Sequence, residues 1–364
     1  MPVTSLPLTD VRADVPLSAH TTLRLGGPAT TFVAATTASE VVEAVRAVDA
    51  DRTPLLVLGG GSNLVVADDG FDGTVVRVAN RGSEIDRVEP GHVQLTVEAG
   101  ENWDTVVEGT VEAGLGGLEC LSGIPGLVGA TPVQNVGAYG VELSQLLVSV
   151  DLLDRPTGEV RTLGVTELGL GYRTSMLKNT DRAVVLRARF SLRDDGLSAP
   201  IRYTELARAL GVRQDERVPA PAAREAVLAL RRSKGMVLDP TDHDTWSVGS
   251  FFTNPLIPDQ HIDAVLTRIA ATVPPDTTIP RYPAGEGASK LSAAWLIERA
   301  GFAKGHAGPD NRVTLSHKHT LALTNRGTAT TSDLLTLART VRDGVLDRFG
   351  VELLPEPVLV NCAL

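Results

Sequence analysis

The chain has 364 residues, a 43% hydrophobic share and a formal net charge of −10. That length allows two or three domains with real cores, and the acidic balance excludes the broad basic face that a nucleic-acid-binding protein needs. The two cysteines, Cys120 and Cys362, make neither a metal-ligand spacing nor a disulfide framework, which points to a reducing cytoplasm. The opening MPVTSLPLTDVRAD has no basic start followed by an apolar core, so no signal peptide is expected. The most apolar stretch, 114–133, is broken by Gly and Pro and carries Glu119, so no membrane span is expected either.

In chain order, residues 37–50 read as a helix, with Thr37 and Glu40 as a capping box and Val41, Val42, Val45 and Val48 as its apolar stripe. Residues 55–58 and 74–78 read as buried strands, 93–97 as a half-buried strand, and 102–113 as a helix. A hairpin is expected over 151–163 with its turn at 155–158, then a strong strand at 183–192. Residues 193–222 read as a polar connection with a short helix near 203–210, followed by a helix at 222–232. Beyond lie expected helices at 259–271 and 289–300, a strand at 313–323, a long helix at 331–349, and a return to a strand within 351–360. This last third has the pattern of a compact α+β domain. No internal repeat and no low-complexity tract interrupts the chain, and its charges are interspersed as on a solvated surface.

The most informative segment is SGIPGLVGATPVQNVGAYGVEL, from Ser122 onward. It is apolar enough to be buried, yet glycine recurs at 123, 126, 129, 137 and 140, which spoils helix and strand alike. A buried segment of this kind suits a flat ligand lying against backbone. Gln134, Asn135 and Tyr139 add polar groups of the type that match an isoalloxazine edge, and the rival reading is a glycine-rich turn region packed on a sheet. Upstream, Gly59, Gly60, Gly61, Ser62 and Asn63 follow a strand and can curl their amides into an anion nest, or else simply form a tight turn. The spacing is neither a dinucleotide fingerprint nor a P-loop.

Elsewhere, Arg173 in GYRTS can clamp a carboxylate or serve as a surface ion pair. Ser250 in GSFFTNP lies between a glycine and two aromatics, outside any G-x-S-x-G elbow, and can donate a proton or be a buried hydrogen-bonded serine. Glu356 is held between two prolines, as in an exposed turn. Tyr203, Lys234, Tyr282 and Lys290 are isolated signals. His317 and His319 alternate on the expected strand without further ligands at metal spacing, so no metal is expected.

Taken together, TLRLGGPA, LGGGSN, AGENW, GLECLSGIPGLVGATPVQNVGAYG, GYRTSMLK, GSFFTNP and LPEPV, in this order, resemble the UDP-N-acetylenolpyruvoylglucosamine reductase (MurB) family over nearly all of the chain, in its longer subtype. The resemblance implies an α+β fold: a two-subdomain FAD-binding module of the vanillyl-alcohol-oxidase (PCMH) type followed by a smaller α+β substrate-binding domain. The implied boundaries are 1–85, 86–230 and 231–354, with 355–364 packing back on the first. It implies non-covalent FAD and NADPH as hydride donor, with the nest near the pyrophosphate. Ser122, Ile124, Pro125, Gly126, Gly129, Ala130, Thr131, Gln134, Asn135, Gly137 and Ala138 would lie about the ring system.

Arg173, Ser250 and Glu356 match the family's catalytic residues; Tyr139, Tyr172, Tyr203, Lys234, Asn254, Tyr282 and Lys290 are the expected substrate contacts. The expected substrate is UDP-N-acetylglucosamine-enolpyruvate, and a cytoplasmic monomer without nucleic-acid or membrane partners is expected. Two other readings are an oxidase of the same flavin fold, which the lack of histidine in 59–69 disfavours if the flavin is covalent, and a non-catalytic UDP-sugar-binding flavoprotein.

Overall fold

A computed structural model describes residues 10–284 and 287–364; the opening residues read above for a leader lie largely outside the described ones. The chain divides into two compact units. The first holds Pro28–Gly61 and Phe71–Val237 with the short run up to Val15; the second gathers Pro16–Gly27, Ser62–Gly70 and Leu238–Leu364.

The first unit carries two sheets. Strands Pro28–Ala35 and Leu55–Leu58 flank Phe71–Val78 in parallel, with Val11–Pro16 at one edge. Helix Ala38–Ala50 lays Val41, Val42, Ala44, Val45 and Val48 toward the core, as its valine spacing demands. Its cap differs from expectation by one residue. Thr37 does accept from the Glu40 N–H, but the Glu40 carboxylate accepts from Thr36 N–H at 2.7 Å, because the side chain reaches past the cap to the preceding amide.

The second sheet is antiparallel, in the order Glu159–Gly164, Leu147–Asp154, Ala183–Arg193, His92–Glu98, Ser83–Glu89. The expected hairpin is there, with Asp154 paired to Glu159 across the turn. Helix Trp103–Glu112, capped by Asn102, buries Trp103, whose ring meets Phe190 edge-on at 5.8 Å and whose indole donates to the Leu121 carbonyl at 3.0 Å.

The same helix fixes the glycine-rich segment. Asp104 accepts from the Gly123 N–H at 2.6 Å and from Arg224 at 2.6 Å, and Arg224 lies on helix Ala220–Ser233. Burial works to raise the Asp104 carboxyl, but Arg224 and the Gly123 amide outweigh it and hold it below the ordinary carboxylate value. A depressed carboxyl stabilises the fold above its unfolded value of 3.8, and that contribution fades as pH falls through the lower folded value. Asp104→Asn is therefore expected to cost about 2 kcal/mol in urea unfolding at pH 7, with the gap to wild type closing in strong acid. A gap that holds constant to pH 2 would count against this ion pair as the cause.

The second unit is built on helix Thr331–Phe349, whose bounds agree with the sequence reading. Thr330 caps it reciprocally with Asp333, and Gly350 ends it at φ 70°. Its buried face, with Leu334, Val341 and Phe349, shares one core with Phe251, Phe252, Ile262, Leu296 and Leu323.

Two expectations are corrected here. Residues 289–300 are not one helix: Ala288–Leu291 is a strand and Ala293–Ala300 the helix, because Ser292 caps it by accepting from the Trp295 N–H at 3.3 Å. Nor is 313–323 one strand. Val313–Leu315 pairs back on Leu323–Asn325, since the Ser316 hydroxyl accepts from the amides of Lys318 and His319 and turns the chain. His317 and His319 thus sit in a turn, not on a strand face. Among the described residues no helix is long and apolar enough to cross a membrane, and no three His, Cys, Asp or Glu side chains gather as a metal site requires.

Candidate active site

In the first unit the two glycine-rich loops meet. A Cβ on Gly60 would stand 2.7 Å from the Gly126 Cα, and one on Gly129 would stand 2.6 Å from the Ala99 Cβ. Both positions require glycine for close approach. Ile124, Pro125, Gly126, Gly129, Gln134, Gly137 and Ala138 are half-buried and Ala130 is exposed, so this glycine-rich loop is only partly covered. That surface fits a flat, polar-edged cofactor such as FAD: amides are free of bulky side chains where the loops converge. Three polar side chains expected at the ligand are turned inward instead. The Ser122 and Thr131 hydroxyls donate to the Glu119 and Val128 carbonyls at 2.6 and 2.7 Å. Asn135 is fully buried, donating to Glu142 and the Gly171 carbonyl and accepting from the Ser144 N–H. These three brace the loop.

Arg173 lies at φ 52°, a left-handed conformation uncommon for a side-chain-bearing residue. Its guanidinium donates to the Gly137 carbonyl at 2.6 Å, and the Lys178 ammonium donates to the Arg173 carbonyl at 2.8 Å. Arg173 is thus aimed along the glycine-rich loop, with the Tyr172 ring 5.5 Å away.

Five of the remaining expected contacts divide between two clusters. Tyr139 and Tyr203 meet edge-to-face at 5.4 Å, and Lys234 lies 6.0 Å from the Tyr139 ring centroid while pairing with Glu205 at 2.6 Å. Burial pushes the Tyr139 phenol up to about 12, so it stays protonated through the physiological range. Sequence reasoning missed Arg231 beside it. Burial pulls this guanidinium below its ordinary value; its Nη2 donates to the Met236 carbonyl, and its Nε has no hydrogen-bond partner among the described residues. The signal was available: Arg231 continues the buried helix face of Ala223 and Val227, where a charge is out of place.

In the second unit Tyr282 and Lys290 face each other across strands Arg281–Pro283 and Ala288–Leu291, hence on one side of the sheet. Asn254 accepts from the Ala293 N–H at 3.0 Å. Ser250 and Glu356 are brought together by backbone pairing: the Glu356 N–H donates to the Phe251 carbonyl at 2.9 Å, and Thr253 N–H to the Leu354 carbonyl at 3.0 Å. Both side chains are half-buried. Asn63, from the first glycine loop, joins this edge: its carbonyl accepts from the Val358 N–H at 3.0 Å, and its amide donates to the Glu356 carbonyl at 3.4 Å. The prolines around Glu356 therefore mark a strand edge, not a loose turn.

Comparison with known proteins gives the family. Residues 29–164 match the model of an FAD binding domain, and 239–360 match that of the UDP-N-acetylenolpyruvoylglucosamine reductase C-terminal domain. The chain is 69% identical to the UDP-N-acetylenolpyruvoylglucosamine reductase of Saccharopolyspora erythraea, over 96% of this chain and 95% of that protein. It belongs to the UDP-N-acetylenolpyruvoylglucosamine reductase family. A second reductase, from Nocardia farcinica, is 61% identical over 97% of this chain and 91% of its own. The crystal structure of the reductase (MurB) from Thermus caldophilus superposes with a TM-score of 0.65 at 25% identity, covering 96% of this chain and all (100%) of that one. Membership in the reductase family makes this an FAD-dependent oxidoreductase with an α+β architecture, its FAD-binding domain in the first half and the family's own domain at the C-terminal side.

Proposed function

We infer that this reductase converts UDP-N-acetylglucosamine-enolpyruvate to UDP-N-acetylmuramate in peptidoglycan precursor synthesis, with NADPH as hydride donor. The 69% identity to a reductase of that name across 96% of the chain carries this reading. Bound FAD supplies the hydride transfer between donor and enolpyruvyl methylene carbon. The protein's own residues do the rest. As the methylene carbon gains hydride, negative charge builds on the neighbouring carbon and its carboxylate. The Arg173 guanidinium, preset by the Gly137 carbonyl, stabilises that charge, with the Glu356 carboxyl assisting. The Ser250 hydroxyl then gives its proton to the neighbouring carbon, completing the lactyl ether.

Tyr139, Tyr203 and Lys234 are assigned to the nucleotide-sugar, with Tyr172, Asn254, Tyr282 and Lys290. The loops at 59–63 and 122–138 are assigned to FAD. Subdomains at 1–85 and 86–230, a substrate domain at 231–354 with 355–364 packing back on the first, a cytoplasmic monomer, and a part in cell shape and division complete the reading.

The test is spectroscopic. The purified protein is expected to be yellow, to bleach with NADPH under anaerobic conditions, and to recolour on adding the enolpyruvyl nucleotide-sugar without oxygen. Recolouring only with oxygen would make it an oxidase, and absence of bleaching would favour a sugar-nucleotide binder.

A further inference from the structure

Glu119 is a fully buried carboxylate that the proposed chemistry does not use. It sits on the 3-10 turn Glu119–Leu121, three residues before the ring-facing loop begins at Ser122. One of its oxygens accepts from the Gly117 N–H at 2.6 Å; the other accepts from the Ala199 N–H. The two amides belong to separate segments, Ala199 lying 80 residues along the chain from Glu119. Burial pushes the carboxyl above its ordinary range, while both amides and Arg193 oppose that rise.

What Glu119 holds is the base of an excursion from the second sheet. After strand Ala183–Arg193 the chain leaves the sheet and returns at helix Ala220–Ser233. The two limbs of the excursion are zipped together: Ser198 N–H donates to the Val218 carbonyl at 2.7 Å, and Ile201 N–H to the Glu216 carbonyl at 2.9 Å. Gly116 and Arg193 exchange backbone bonds, and a Cβ on Gly116 would lie 1.8 Å from the Leu197 oxygen, so the base is pressed against 114–117. Farther out, Tyr203 opens helix Thr204–Leu210, and its amide lies 3.4 Å from where a Cβ on Gly140 would stand. One end of this excursion is thus pinned by Glu119, and four residues later Tyr203 meets Tyr139.

We propose that Glu119 is the positioning residue for Tyr203: its carboxylate, bridging the amides of Gly117 and Ala199, sets the substrate-covering tyrosine at a fixed height over the end of the glycine-rich loop. This rests on the reading of Tyr203 as a nucleotide-sugar contact. The residue type follows from the geometry. Two amide donors from different segments need two acceptor oxygens, and glutamine in this place would set its NH2 against one of them. A buried amide left without an acceptor releases the limb it belongs to.

The test compares Glu119→Gln with Tyr203→Ala in the FAD-loaded enzyme. Glu119→Gln is expected to raise KM for the enolpyruvyl nucleotide-sugar about tenfold while kcat stays within about twofold and the FAD content is retained. Trypsin cleavage after Arg202 and Arg208 should quicken in parallel. Parallel loss of kcat and FAD would show a merely structural carboxylate and overturn the proposal. If Tyr203→Ala raises KM and Glu119→Gln does not, the positioning role fails while the reading of Tyr203 stands; if neither moves KM, that reading fails as well. Should Glu119→Gln not fold, hydrogen exchange on the wild-type enzyme decides. The Ala199 amide is expected to be protected like those of strand Ala183–Arg193, and exchange at the rate of exposed loops would overturn the proposal.

Discussion

Ser250→Ala is expected to leave flavin reduction by NADPH close to the wild-type rate and to slow reoxidation by the enolpyruvyl nucleotide-sugar by about a thousandfold, within the span of a lost general acid. The asymmetry follows from the proton-donor role proposed for Ser250. The first half-reaction moves hydride onto the cofactor and asks no proton of serine, whereas the second leaves a carbanionic carbon that must be protonated. Ser250 lies at a rigid position for that task. It precedes Phe251 and Phe252, both buried, and the Phe251 backbone is pinned on one side by the Leu321 carbonyl and on the other by the Glu356 amide. Loss of the hydroxyl removes the donor without moving these anchors. Anaerobic stopped-flow at the flavin band separates the two steps. Equal slowing of both would refute the proton-donor role, and so would a second half-reaction that survives intact.

Gly60→Ala is expected to yield a folded protein that binds FAD about thirtyfold more weakly. The added methyl would stand 2.7 Å from the Gly126 Cα and 3.2 Å from its carbonyl carbon, and backbone cannot swing aside as a flexible side chain would. Overpacking of this sort costs about 2 kcal/mol, and each 1.4 kcal/mol is a factor of ten in affinity. The strain falls where the two loops converge, so it forces them apart at the cofactor before it reaches the core. Gly109→Ala serves as the control. That glycine lies within helix Trp103–Glu112 with nothing within 4 Å of an added Cβ, so the change is expected to stabilise the helix by about 1 kcal/mol and leave FAD binding alone. Titration of the apoprotein with FAD, followed by flavin fluorescence, measures both. Unaltered affinity in Gly60→Ala would remove the glycine nest from the cofactor site.

The elements that local chemistry specifies were legible in the sequence. Helix Thr331–Phe349 is bracketed by a Thr330 cap and Gly350, and the valine stripe of Ala38–Ala50 admits one orientation. Short segments misled wherever one side chain outvoted the apolar pattern. Ser292 starts a helix in the middle of an apolar run, and Ser316 folds a hairpin out of what reads as one strand.

The glycine-rich loop was legible as a break in regular structure, because glycine at that density spoils helix and strand alike, but the direction of its polar groups was not. Asn135 reads like a ligand-facing amide, and only its three bonds to Glu142, Gly171 and Ser144 reveal a brace. Glu119 and Arg231 were overlooked for the opposite reason. A charged residue in an apolar stretch reads as an interruption until its distant partners are known, and Ala199 lies 80 residues from Glu119.

The parallel pairing of Val358–Val360 with Leu64–Val66 sets an order of events in biogenesis. Asn63 and Glu356, 293 positions apart, share a backbone edge, so the second unit cannot close around Ser250 until nearly the whole sequence has left the ribosome. In contrast, every strand of the first unit's two large sheets, from Val11–Pro16 to Ala183–Arg193, is in hand well before then. Nascent molecules should therefore pass through a stage in which the early half is ordered while Leu64–Val66 waits unpaired, a sticky strand edge that makes this interval the enzyme's most aggregation-prone moment.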